Sequence, residues 1–280
     1  MIPRLLHLSA SDGLTLAVRL WGDRSERTPL LCLPGLVRTG GDFARIAARH
    51  ASARLVVAPD YAGRGLSQRA RHWQRYRPER ILVDVLDLCA ALHLPRVVVI
   101  GTSLGGVLAM GLAVARPRLL TAALLNDIGP EIGTAGLAAV EALVGREHVF
   151  TSLEDAAAWL RSNLPWLSLA TAEDWREFAD LTVARGPDGL WRSLWDPRIA
   201  RTLAEAARRD LWSLFGALAS VPVLVVRGEI SDVLSEATAR RMKAAHPALG
   251  EIVVEGVGHA PTLSEPAIAP AVDAWIVSQP

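Results

Sequence analysis

Along most of the chain, short apolar runs alternate with longer stretches of helical periodicity. The runs are β-branched or leucine-rich and cover residues 29–33, 55–59, 97–100, 121–126, 221–227 and 252–255. Runs that stay apolar at successive positions predict strands buried on both faces, as in a parallel sheet covered by crossover helices. Helices are predicted over 42–50, 78–92, 104–115, 236–245 and 266–276, each between or after strands. Residues 5–10 and 14–21 flank Asp12-Gly13, a dipeptide that accepts positive φ, so an antiparallel hairpin is expected to open the chain.

Between Glu131 and Gly216 the alternation stops. Residues 131–216 are therefore expected to form a mainly helical cap inserted into a core domain made of 1–130 and 217–280. Asp188-Gly189 suggests a turn between short extended pieces inside it. The insertion carries six of the nine tryptophans: Trp159, Trp166, Trp175, Trp191, Trp195 and Trp212. Such side chains suit the private core of a small layer, and one or two are expected to line a ligand cavity.

Composition narrows the classes. With 280 residues, 51% apolar and 21% charged, the chain can bury a sizeable core, which argues against intrinsic disorder. A net charge of +1 is too balanced to draw nucleic acid or an anionic membrane by bulk electrostatics, so the expected partners are a small molecule and water. Cys32 and Cys89 are the only cysteines, which rules out a disulfide framework. Residues 1–10 offer no continuous apolar core for a signal peptide, and a cytoplasmic location is expected. Residues 97–115 are uncharged and would register as a membrane span, but their glycines and the opening Val-Val-Val-Ile read as a buried strand, a turn and a buried helix. No H-E-x-x-H or cysteine-histidine spacing points to a metal, and no cofactor is expected.

Candidate chemistry centres on Gly101-Thr102-Ser103-Leu104-Gly105, a G-x-S-x-G pattern between a predicted strand and a predicted helix. In that setting the serine sits on a sharp turn, with glycines where the reversing chain leaves no room for side chains. A serine hydroxyl is a poor nucleophile at neutral pH. A base must take its proton, and a third group must hold that base in one tautomer. His259, in Gly256-Val257-Gly258-His259-Ala260-Pro261, follows the last predicted strand and emerges at the same sheet edge as Ser103. The other six histidines lie on the opening strand, in predicted helices or in the insertion, where packing or surface roles suit them. Asp232, in the loop after residues 221–226, is the preferred orienting acid, with Asp127 and Glu229 competing for the role. Backbone N–H groups of Leu36 and Leu104 are the expected oxyanion donors.

These residues resemble the α/β-hydrolase superfamily over nearly the whole chain. Besides the serine turn, Asp60-Tyr61-Ala62-Gly63-Arg64-Gly65-Leu66-Ser67 is similar to the family's D-x-x-G-x-G-x-S turn, and Gly258-His259-Ala260-Pro261 with Glu265-Pro266 is similar to its histidine loop. The resemblance implies an eight-stranded, mostly parallel sheet flanked by helices, with the cap after the sixth strand. Two departures stand out: Pro34-Gly35 where many members carry histidine before glycine, and Ala62 where arginine or proline is frequent. A serine rather than an aspartate at position 103 sets the chain apart from dehalogenases and many epoxide hydrolases. The implied activity is hydrolysis of a carboxylic ester or lactone through an acyl-enzyme. Carbon–carbon bond hydrolysis of a diketone-like substrate, or ligand sensing without catalysis, are the alternatives on the same fold.

Overall fold

The computed structural model describes residues 2–203 and 210–280. In chain order the elements are β1 (Arg4–Ser9), β2 (Thr15–Trp21), β3 (Leu30–Leu33), α1 (Ala44–His50), β4 (Val56–Pro59), α2 (Pro78–Ala91), β5 (Val97–Thr102), α3 (Leu104–Ala115) and β6 (Leu120–Asn126). They continue with α4 (Thr134–Val144), β7 (Val149–Phe150), α5 (Leu153–Asn163), α6 (Ala172–Asp180), β8 (Val183–Arg185), β9 (Trp191–Ser193) and α7 (Trp212–Gly216). The chain closes with β10 (Val223–Gly228), α8 (Glu236–Ala245), β11 (Gly250–Val254) and α9 (Ala269–Ser278).

Eight strands form one sheet in the order β1-β2-β4-β3-β5-β6-β10-β11. Pairing is antiparallel for β1–β2 and β2–β4 and parallel from β4 to β11. Every residue of β3, β4, β6 and β10 is buried, which explains why they read as continuous apolar runs. Successive side chains feed opposite faces. Leu31, Val57 and Val99 pack with α2 and α3, whereas Leu30, Val56 and Val98 pack with α1 and α9. Cys32 and Cys89 lie unpaired in these two layers, and burial pushes the Cys89 thiol up to about 12.

Predicted and observed bounds coincide for α3 and α8. The strand expected from 221 begins at Val223, because Pro222 has no N–H to donate and contributes only its carbonyl, to Ala123 N. β11 starts at Gly250 rather than 252. It is an edge strand, half-exposed in alternation, so its leading Gly-Glu carries no apolar signal.

The segment between β6 and β10 holds α4 to α7 and a three-stranded antiparallel sheet in the order β7-β9-β8. The turn expected at Asp188-Gly189 links β8 to β9. Residues 204–209 of the expected cap lie outside the described residues. Leu153, Leu160, Trp175 and Val183 form a separate cluster here, with Trp159, Trp191 and Phe150 against it. The segment is fastened to the turn after β4. Asp196 accepts from Tyr76 Oη at 2.6 Å and from Arg198, and its N–H donates to Gly63 O at 2.9 Å. No helix among the described residues is long and apolar enough to cross a membrane.

Candidate active site

Ser103 sits between the end of β5 and the start of α3 with φ 51° and ψ −115°. That conformation costs a non-glycine residue about 1–3 kcal/mol and persists only where the surroundings enforce it. The enforcement is steric. A Cβ at Gly105 would lie 1.9 Å from the Leu33 carbonyl oxygen, so α3 can press onto β3 only without a side chain there. Ser103 N–H donates to Asn126 O at 3.0 Å, tying the turn to β6.

His259 Nε2 lies 3.0 Å from Ser103 Oγ, and its Nδ1 lies 2.7 Å from Asp127 Oδ2. A carboxylate only accepts, so Nδ1 carries the proton and Nε2 is left to accept from the serine hydroxyl. Asp127 is fully buried, immediately after β6, with φ 54°. Its Oδ1 accepts from Gly228 N at 2.9 Å and its Oδ2 also accepts from Ser231 Oγ at 2.6 Å. Two segments, the end of β10 with the loop that follows it and the histidine loop, thus converge on one carboxylate.

Asp232, the acid preferred from sequence, does not reach the histidine. The loop after β10 turns Ser231 inward instead. The Ser231 hydroxyl donates to Asp127 and accepts from the Val233 and Leu234 amides at 3.1 and 3.2 Å. Asp232 is consequently exposed and makes no side-chain hydrogen bond among the described residues. Glu229 is also displaced from the site, accepting from Gly256 N at 2.8 Å. Asp127, the rival candidate, stands where the histidine needs a partner.

The loop carrying Leu36 adjoins Ser103 and is braced from below. Tyr61 Oη donates to Pro34 O at 3.1 Å and Arg64 Nε donates to Leu36 O at 2.7 Å. These bonds bracket the peptide whose N–H belongs to Leu36. Arg64 is fully buried, and burial pushes its guanidinium down to about 10. The Leu104 amide, first of α3, has no acceptor within its own helix. Tyr61 and Arg64 come from the turn after β4, which the sequence marked only as a family resemblance.

A cavity of about 410 Å³ opens over Ser103 and His259, walled by Leu36, Trp159, Trp166 and Phe178. A second recess of about 80 Å³ reaches the same two residues and is lined by apolar side chains that include Leu104, Val107, Ile128 and Ile132. Two of the six tryptophans in the insertion therefore face the cavity. Trp175 and Trp195 are buried in local cores, and Trp212 donates to Glu131. No group of three His, Cys, Asp or Glu residues among the described residues is placed to hold a metal ion.

Comparisons with known proteins bear on the family and the fold. The profile of the alpha/beta hydrolase family matches residues 30–269. A 3-hydroxybutyrate-oligomer hydrolase of Cupriavidus necator is 35% identical over 262 residues, covering 90% of this chain and 89% of the relative. A 2-(acetamidomethylene)succinate hydrolase of Mesorhizobium japonicum is 26% identical over 88% of this chain and 85% of its own. Among solved structures, an alpha/beta hydrolase from Novosphingobium aromaticivorans superposes with a TM-score of 0.92 at 36% identity, covering 99% of both chains.

Proposed function

We infer the reaction from one premise: the chain belongs to the alpha/beta hydrolase family. We propose that it cleaves a carboxylic ester or lactone through an acyl-enzyme, with Ser103, His259 and Asp127 as its triad. The observation that carries this reading is the pair of contacts on one imidazole, 3.0 Å to Ser103 Oγ and 2.7 Å to Asp127 Oδ2.

Ser103 attacks the substrate carbonyl as His259 takes its proton, and Asp127 holds the imidazole in the required tautomer while stabilising the imidazolium. The negative oxygen of the tetrahedral intermediate is held by the Leu36 and Leu104 N–H groups, the latter aided by the α3 dipole. His259 then protonates the departing alcohol. Water, deprotonated by the same imidazole, releases the acid.

The cavity has the size of a small-molecule site. The name of the Cupriavidus relative makes linear esters of short 3-hydroxy acids the first substrates to test. Ser103→Ala is expected to lower kcat/KM for p-nitrophenyl butyrate and for such oligoesters by at least about 10⁴-fold. Parent-like turnover in that variant would overturn the reading. Rapid cleavage of a vinylogous diketone with poor ester turnover would move the chemistry to carbon–carbon hydrolysis.

A further inference from the structure

Trp166 belongs to the insertion, in the stretch after α5, yet it touches the histidine loop at two points. Its indole Nε1–H donates to His259 O at 3.1 Å, and its own carbonyl accepts from Gly258 N at 2.9 Å. The two bonds grip the loop on either side of the His259 Cα, restraining the backbone angles that aim the imidazole. Among the described residues, the His259 carbonyl accepts from no other group.

The fit is close. A Cβ at Gly258 would lie 2.8 Å from the indole Cδ1, so a side chain there would lift the tryptophan off the loop. Two residues further on, Ser168 Oγ donates to Glu265. The buried Glu265 carboxylate also accepts from Thr262 N at 2.6 Å and Ser264 N at 3.1 Å, so it secures the far end of the same loop. Trp166 is at the same time a wall of the cavity over Ser103.

We propose that Trp166 is a positioning residue for His259, so that the imidazole is aligned on Ser103 only while residues 166–168 are seated on the histidine loop. This rests on the assignment of Ser103 and His259 as nucleophile and base. It differs from an ordinary cap role because a wall of the cavity affects only substrates large enough to touch it. A backbone clamp on the base affects every substrate, since misplacement of a catalytic group slows the chemical step itself.

The test uses Trp166→Phe, which keeps an aromatic wall and removes the N–H, beside Ser168→Ala, which leaves Trp166 intact and releases the other end. Each is assayed with p-nitrophenyl acetate, too small to need the wall, and by the rate of Ser103 labelling with a small fluorophosphonate. The expected result for Trp166→Phe is a kcat and a labelling rate lower by roughly tenfold, with KM within about twofold. The downfield ¹H NMR signal of the His259 Nδ1 proton should broaden, and the melting temperature should stay within about two degrees of the parent. Ser168→Ala moves the same readouts in the same direction by a smaller factor. Unchanged kcat and labelling in Trp166→Phe, with KM raised for longer esters alone, would overturn the proposal and leave Trp166 as a wall. A Ser103→Ala variant that still turns over ester would instead overturn the triad.

Discussion

The two halves of the candidate site are built by different means. Ser103 and Asp127 stand at the ends of neighbouring buried strands, β5 and β6, each with a positive φ imposed by the sheet and the packing on it. His259 hangs on a loop after the edge strand β11, held from the core by Asn126 donating to Pro261 O and from the insertion by Trp166 and Ser168. Ser103 and Asp127 are fixed by the main core of the molecule, whereas His259 is held by the insertion as well. The strained positions thus fall on the sheet, and the proposed base falls where the core and the insertion meet.

Substitutions sharpen this contrast. Asp127→Asn should be the most damaging on the core side, lowering kcat by about 10⁴-fold, since the amide favours the wrong tautomer of His259. The matched change Asp232→Asn should alter kcat by no more than about twofold, since Asp232 borders the cavity but makes no hydrogen bond to His259. Steady-state assays of the pair decide which carboxylate serves the histidine; the reverse ranking would restore Asp232.

Arg64→Met should come next in size, because it removes the donor that holds the Leu36 carbonyl and slackens one proposed oxyanion donor without touching the proposed triad. A kcat lower by roughly 10- to 100-fold with a near-parental KM is expected. A change confined to KM would remove the Leu36 loop from the account.

Asp196→Asn acts on the fastening of the insertion and should be the mildest for catalysis. Its effect is on stability and carries a pH signature. Burial alone would raise the Asp196 carboxyl, but hydrogen bonds from Arg198 and Tyr76 outweigh it and hold the group at about 2. A carboxyl whose folded value lies below its unfolded one contributes stability above the unfolded value, about 3.9. That contribution is lost as pH falls towards 2. The variant should melt about 2–6 °C below the parent at neutral pH, and the gap should narrow below pH 4. Melting curves by circular dichroism across pH 2–7 check it, and a constant gap would contradict the assignment.

Much of the fold is legible in the sequence because the parallel strands are buried on both faces and announce themselves as unbroken apolar runs. The edge strand β11 reads short because half of it faces water. The serine turn and the histidine loop each lie within a few consecutive residues, so local pattern is enough to mark them. The acid is different. Choosing between Asp127 and Asp232 requires knowing that β6 lies between β5 and β10 and that Ser231 turns inward, and both are facts of long-range packing. Leu124-Leu125-Asn126-Asp127 carries the available hint, a carboxylate just past the carboxyl end of a buried strand. The Trp166 clasp leaves no trace in the pattern, since an indole beside a cavity and an indole gripping a backbone have the same letter.

The convergence on Asp127 has a consequence for biogenesis. Its carboxylate is shared by the Gly228 amide at the end of β10, the Ser231 hydroxyl just after it and the His259 imidazole beyond β11. In the proposed triad the base therefore joins the site only once β11 has paired with β10, which couples hydrolytic competence to completion of the sheet.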